Sequence, residues 1–317
     1  MNRRQRDGLL LILIAAAGYS FFAIFTKSIY DNSTFNPLDI LIWRFVIAAP
    51  ITWLAMLWMR RGQVSAKPTY MPRARLIGMG LLFGVVAMVA FFAVERLPVS
   101  LYTVLIYTYP ALVAVGAILF GERLSGRGWL ALGLTLIGVV LTVPNLFQGF
   151  GGVDPLGVVL VLANAVSYAV YILLSNRTLR GVTDLPTASA WSITGSFIYV
   201  LAVILIRALQ GGATSIPPNP SVWIAFLGLA VVSTVIPIFT FYAGMHRLGA
   251  PRAAIISMIE PVLTLLWAII IRHENLQLIQ IVGAVFIIIS VILLQLQRES
   301  ASPKPHIHDR SSVAGEV

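Results

Sequence analysis

Residues 255–271 read "IISMIEPVLTLLWAIII", seventeen residues carrying one formal charge, Glu260, set directly beside Pro261. In a segment that crosses a bilayer, a carboxylate sits where charge is costly, and the proline removes a helical hydrogen bond in the same turn. The adjacency therefore marks a site if the segment lies in a membrane. Composition points there: 58% of residues are apolar, 11% are charged, and the mean hydropathy is +0.90. A soluble domain carries about twice that share of charge.

Working outward, apolar spans of about 20 residues, each about 30 Å long as helix, recur along the chain. Ten are expected, over 8–30, 37–59, 74–94, 98–120, 127–147, 155–176, 185–208, 221–244, 250–271 and 276–297. They are long and continuously apolar, which excludes barrel strands of about 10 alternating residues. The class is an all-α polytopic membrane protein. The opening "MNRRQRDGLLLILIAAAG" imitates a signal peptide, but its apolar run continues through Phe21, Phe22 and Phe25, so retention as the first span is expected. Absence of cysteine excludes disulfides, thiol catalysis and cysteine metal sites.

The net charge of +10 is explained by position. With the amino terminus inside, seventeen of the twenty-two Lys and Arg fall on inner segments, from Arg3, Arg4 and Arg6 through Arg60, Arg61 and Arg73 to Arg298, Lys304 and Arg310. Outer ends hold Lys27, Arg96, Arg207 and Arg272. This bias predicts that both termini are cytoplasmic, and it leaves no basic soluble surface for nucleic acid. The tail, 298–317, is polar and contains Pro and Ser, so it reads as disordered; His306 and His308 there lack further ligands for a metal.

An internal repeat organises the rest. Shifting the chain by 149 pairs Gly8 with Gly157, Tyr19 with Tyr168 and Pro37 with Pro186; shifting by 151 pairs Arg96 with Arg247, Leu97 with Leu248 and Pro110 with Pro261. Residues 1–150 and 151–297 thus form two five-span repeats. Because five is odd, the second copy enters from the opposite side, giving inverted halves related by a pseudo-two-fold axis in the bilayer plane. Carriers with this organisation bind solute near the midplane, between the halves.

With mid-span prolines in spans four and nine, each followed by "GERL" at 121 or "HENL" at 273, the chain resembles the EamA-type group of the drug/metabolite transporter superfamily over about residues 8–297. "RLGAPRAAIISMIEPVLTLLWAIIIRHENL" and "YTYPALVAVGAILFGERLS" carry the likeness. The resemblance implies a multi-pass protein of the bacterial inner membrane that exports or exchanges a small metabolite such as an amino acid or sugar. It implies no cofactor, and either a monomer or a homodimer.

On a helical wheel, Ala253, Ser257, Glu260, Thr264 and Trp267 share one face of span nine, with Tyr102, Tyr109 and their neighbours in span four as counterparts. Span six offers Asn164, Ser167, Tyr168, Tyr171 and Ser175, and span one offers Tyr19, Phe22 and Thr26. Candidate substrate-binding residues are therefore Tyr19, Tyr109, Asn164, Tyr168, Tyr171, Ser257 and Glu260, lining a shared cavity; the alternative is that they only bond neighbouring helices. Pro110 and Pro261 are candidates for gating or for a static kink. Glu260 is a candidate for proton coupling, for binding a cationic group, or for a purely structural bond. Arg44 is expected to snorkel or to pair with Asp39, with acidic-substrate binding as the lesser reading. Glu122 and Glu274 are expected to cap or bond helix ends. That leaves one deep acid and no deep base, favouring neutral, zwitterionic or cationic solutes.

No G-x-S-x-G, H-E-x-x-H or phosphate-binding loop is present, and His246 and His273 are not paired, so an intramembrane enzyme is disfavoured. A passive channel or facilitator stays open as the alternative. Lacking a nucleotide motif, any active transport would draw on a gradient, with protons the candidate ion.

Overall fold

A computed structural model describes residues 3–61, 71–97, 102, 105–122, 124–141, 154–272 and 277–295. Among them the regular elements are helical: α1 (Arg3–Ser20), α2 (Phe22–Asp31), α3 (Pro37–Arg60), α4 (Arg73–Arg96), α5 (Tyr109–Ile118), α6 (Gly126–Leu141), α7 (Pro155–Thr178), α8 (Leu185–Leu209), α9 (Pro220–Ala230), α10 (Ile236–Leu248), α11 (Ala250–Ser257), α12 (Glu260–Arg272) and α13 (Leu278–Gln295). A π-helical turn, Val231–Val235, joins α9 to α10. Among the described residues, six stretches are long and apolar enough to cross a membrane: Arg3–Asp31, Pro37–Arg60, Arg73–Ala93, Pro155–Thr178, Leu185–Leu209 and Pro220–Leu248. Shorter apolar helices cover Tyr109–Ile118, Gly126–Leu141 and Leu278–Leu293. The protein is a multi-pass helical membrane protein.

Helix starts follow local chemistry. Asn36 caps α3 through its side chain to the Asp39 amide, Asp154 caps α7, Asp184 caps α8 and Asn219 caps α9, in each case just before a proline in the first turn. These side chains accept from amides that have no helical partner, and the proline forgoes one such donor.

The expected continuity fails in four spans. Span one breaks at Phe21, span eight passes through the π turn, and spans four and nine break just ahead of their prolines. In span nine, Met258 and Ile259 form a turn with i−3 hydrogen bonds to Ile255 and Ile256, and α12 restarts at Glu260. In span four, Tyr107 and Thr108 form the turn, and α5 restarts at Tyr109. A proline at the second position of each restart has the fixed φ that suits a first helical turn, so the break falls before it rather than as a bend around it.

Neighbouring helices pack where side chains are small. An added Cβ on Gly80 of α4 would stand 1.7 Å from the Ser192 carbonyl oxygen of α8, and one on Gly195 would stand 2.1 Å from the Ile77 carbonyl oxygen. Only glycine allows backbones that close. The Ser196 hydroxyl donates to the Gly80 carbonyl at 2.8 Å across the same contact. Helix α1 meets α10 with Gly8 against Leu248 and Arg247, while α7 meets α4 with Gly157 against Leu97 and Arg96. Helix α6 meets α13 through Gly138 against Gly283 and Ile287, and through Thr135 Oγ1 and Ser290 Oγ, 2.6 Å apart.

Helices α3 and α8 run antiparallel. At one end Asp39 pairs with Arg207, and at the other Arg60 pairs with Asp184. Asp39 is 1% exposed and accepts from Arg207 Nη1 at 2.8 Å and from the Ser215 amide at 3.3 Å. The expected Arg44–Asp39 pair is therefore not formed: Arg207, from another helix, occupies that carboxylate.

Candidate functional site

The breaks in spans four and nine bring chemistry together. Tyr109, first residue of α5, and Ser257, last residue of α11, have hydroxyls 2.9 Å apart, and the Ser257 hydroxyl also bonds the Ala254 carbonyl at 2.8 Å. Tyr109 stands edge-on to Tyr168 of α7 with ring centroids 4.8 Å apart, and Tyr168 stacks on Tyr171 at 6.0 Å. Tyr171 in turn bonds the Tyr242 hydroxyl of α10 at 3.0 Å, and Tyr242 bonds Ser192 of α8 at 2.9 Å. A continuous tyrosine array thus links α5, α7 and α10.

Glu260 opens α12 beside this array. It lies in electrostatic range of Tyr19, Tyr102, Tyr107, Tyr109 and Tyr168. The next residues along its face dock on the break in span one: Thr264 Oγ1 donates to the Ser20 carbonyl at 3.5 Å, and Trp267 Nε1 donates to Ser20 Oγ at 2.8 Å while stacking on Phe21 at 4.6 Å. The face predicted by the helical wheel is the one that turns toward span one.

Six of the seven candidate binding residues, Tyr19, Tyr109, Tyr168, Tyr171, Ser257 and Glu260, thus share one neighbourhood. Asn164 serves elsewhere, donating from Nδ2 to the Val86 carbonyl at 3.2 Å and tying α7 to α4. Ser167 returns a bond to the Asn164 carbonyl, and the Thr26 and Ser175 hydroxyls are buried with no partner among the described residues. Glu122, as expected, bonds between helices, accepting from Asn176 Nδ2 at 2.8 Å and pairing with Arg180. Glu274, His273 and the tail 298–317 lie outside the described residues.

Arg44 is the correction of most consequence. It neither snorkels nor pairs with Asp39, but is 5% exposed. Its Nε donates to Thr234 Oγ1 at 2.9 Å and its Nη2 to the Ser233 carbonyl at 3.4 Å, both on the π turn. Phe22, Phe45 and Phe83 present their rings at 5.2, 5.4 and 5.9 Å. It lies in electrostatic range of Tyr19 and Tyr168. An arginine at bilayer depth costs about 3 kcal/mol or more, and each cation–π contact returns about 0.5–2 kcal/mol. The site therefore holds a deep base as well as a deep acid, and the expectation of an acid alone is withdrawn. Sequence reading missed Tyr107, Tyr242, Ser192 and the Ser233–Thr234 pair; the polar "ST" inside an apolar span was the available signal.

Two features lie at the ends of the bundle. A recess of about 310 Å³ is lined by Tyr30, Thr34, Phe35, Asn36, Pro37 and Glu95, none of them in the tyrosine array. Arg96 pairs with Asp154 at 3.0 Å, and this contact, together with the Leu156 amide, holds the Asp154 carboxyl below its usual range.

With this geometry in view, comparison with known proteins defines the class. The model of the EamA-like transporter family matches residues 6–143 and 155–296, and the chain belongs to that family. It is 25% identical to an uncharacterized transporter of Synechocystis sp. over 93% of this chain and 95% of that one. It is 26% identical to the uncharacterized transporter YcbK of Bacillus subtilis, covering 91% and 93% of the two chains. It is 25% identical to a probable amino-acid metabolite efflux pump of Escherichia coli, covering 89% and 92%. One crystal structure, 23% identical, superposes with a TM-score of 0.75 over 92% of this chain and 97% of its own, a likeness of fold.

Proposed function

We propose that the protein is a secondary transporter of the bacterial inner membrane that exports or exchanges a small metabolite, an amino acid or related compound, by alternating access through a site between two inverted five-helix repeats. The repeats are residues 1–150 and 151–297, and together they cross the membrane ten times with both termini cytoplasmic.

The observation that carries this reading is the equivalence of the two breaks. The shift of 151 that pairs Pro110 with Pro261 also pairs Tyr109 with Glu260, and each of these residues opens a restarted helix. Discontinuous helices whose amino ends face the middle of the membrane are how carriers of inverted design build solute sites, because the unpartnered amides and the helix dipole favour polar groups there. The packing supports the same symmetry: Gly8 against Arg247 and Leu248 is matched by Gly157 against Arg96 and Leu97, each residue replaced by its repeat mate. The antiparallel run of α3 against α8 and of α6 against α13 is what inversion requires of mates. The two stretches matched by the family model, 6–143 and 155–296, fall one on each repeat.

In this account Tyr19, Tyr109, Tyr168, Tyr171 and Ser257 supply aromatic and hydroxyl contacts to the solute, and Glu260 meets a cationic group or exchanges a proton. Asn164, bonded to α4, positions α7 beside them. Pro110 and Pro261 mark the joints at which the half-helices tilt. Reconstituted vesicles screened for uptake and efflux against a metabolite panel test the function. Concentration-dependent, saturable exchange of an amino acid or close relative is expected; flux that never saturates would indicate a channel, and absence of flux for every solute would refute the reading.

A further inference from the structure

We propose that Arg44 binds a carboxylate of the transported solute, so that the site takes a carboxylate-bearing metabolite whose anionic end lies where α3 meets α2 and the π turn. The inference rests on the transport reading and adds to it a residue and a substrate class.

The Arg44 guanidinium presents two hydrogen-bonding edges. Nε and Nη2 form one edge, and that edge is filled by Thr234 Oγ1 at 2.9 Å and the Ser233 carbonyl at 3.4 Å. Both acceptors are held in place: Thr234 Oγ1 donates to the Leu229 carbonyl and Ser233 Oγ to the Gly18 carbonyl, each at 2.9 Å. The other edge, Nη1 with the remaining hydrogen of Nη2, makes no hydrogen bond to a described residue. No carboxylate among the described residues pairs with Arg44, although Asp39, five residues away on the same helix, pairs with Arg207. The fork is thus oriented by neutral groups and its charge is left uncompensated.

Its surroundings belong to the site. Phe83, beside the guanidinium, stacks on Tyr171 at 5.1 Å, and Arg44 and Glu260 both lie in electrostatic range of Tyr19 and Tyr168. Phe22, Phe45 and Phe83 line the guanidinium with apolar faces that exclude water and strengthen any ion pair formed there. The π turn is the distortion that delivers Ser233 and Thr234, and such turns gather at functional sites. A planar fork with one open edge suits two carboxylate oxygens, which a lysine's point charge does not reproduce. A solute lying across Tyr19 and Tyr168 would present a carboxylate to Arg44 and an ammonium to Glu260, the charge pattern of an amino acid. Phosphate shares the anionic chemistry and enters the test as a separate probe.

The test measures equilibrium binding to the purified full chain in detergent, using the twenty proteinogenic L-amino acids, the carboxamide of each, and inorganic phosphate. The wild type is expected to bind at least one amino acid at least about tenfold more tightly than its carboxamide, the discrimination that a charged hydrogen bond supplies. Arg44→Gln is expected to weaken the amino acid and leave the carboxamide unchanged. Should Arg44→Gln not fold, Arg44→Lys carries the test: charge without the fork should weaken the amino acid and spare the carboxamide. Equal weakening of both solutes, equal wild-type affinity for both, or preference for phosphate would each overturn the proposal. Those outcomes leave vesicle transport intact, whereas absence of transport by the wild type strikes the transport reading instead.

Discussion

The hydroxyls of Tyr109 and Ser257 meet at 2.9 Å, and through that contact the restarted half of span four is tied to the broken end of span nine. Because Ser257 also bonds the Ala254 carbonyl, Tyr109→Phe removes one hydrogen bond without stranding its partner. The expected loss of stability is about 0.5–1.5 kcal/mol. Thermal unfolding in detergent measures it, and vesicle exchange should show a raised KM if the contact shapes the site. Unchanged unfolding together with unchanged KM would contradict this account of the contact.

The approach of α4 to α8 depends on two glycines. Gly80→Val or Gly195→Val places atoms where the facing carbonyl oxygens already stand, at 1.7 and 2.1 Å from the new Cβ. A loss of about 1–3 kcal/mol or more is expected, read as a lower midpoint of unfolding. Gly78→Ala serves as the control, because a Cβ there meets nothing within 4 Å. Equal effects from all three would show that α4 and α8 do not touch as described.

Asp39 is buried and its partner Arg207 is largely so, with 18% of the Arg207 side chain exposed. Arg207→Ala leaves the Asp39 carboxylate without compensation and should cost about 3–5 kcal/mol. Adding Asp39→Asn removes the stranded charge and should recover much of that loss. A double variant no more stable than the single one would argue that the pair is not a coupled unit.

Glu260→Gln keeps shape and removes the exchangeable charge, while Glu260→Ala removes both. If Glu260 couples protons, the glutamine variant exchanges solute but no longer accumulates it against a gradient. If it binds a cationic group, the apparent KM rises, by about tenfold for a lost charged hydrogen bond. Near-normal transport by the glutamine variant at every pH, with loss only from alanine, would confine Glu260 to a structural role.

The multi-pass helical class was legible in the sequence, since hydropathy reports burial in lipid without any coordinate. The Glu260–Pro261 pair marked the break because a proline cannot donate and a lone carboxylate needs a reason to be deep. The partner of Arg44 was not legible. Its environment is made by the π turn, hinted at only by the polar "ST" inside an apolar span, and by Phe22 and Phe83 from distant segments. Spacing suggested Asp39, five residues away, but tertiary packing gave that carboxylate to Arg207. Asn164 lies on the polar face that the wheel gave it, and its bond there to the Val86 carbonyl of α4 is a contact that spacing alone does not reveal.

The central claim is that the meeting point of the two breaks is the solute site and opens to each side of the membrane in turn. The chain has no cysteine, so Ser257→Cys creates a single thiol at that point, at a residue 3% exposed in the described conformation. Its reaction with a membrane-impermeant thiol reagent, applied separately to each face of oriented vesicles with and without a transported solute, is the direct measurement. The account predicts labelling from both faces, slowed from each by saturating solute. A thiol that reacts from neither face while transport proceeds, or whose labelling solute leaves unchanged, would contradict it.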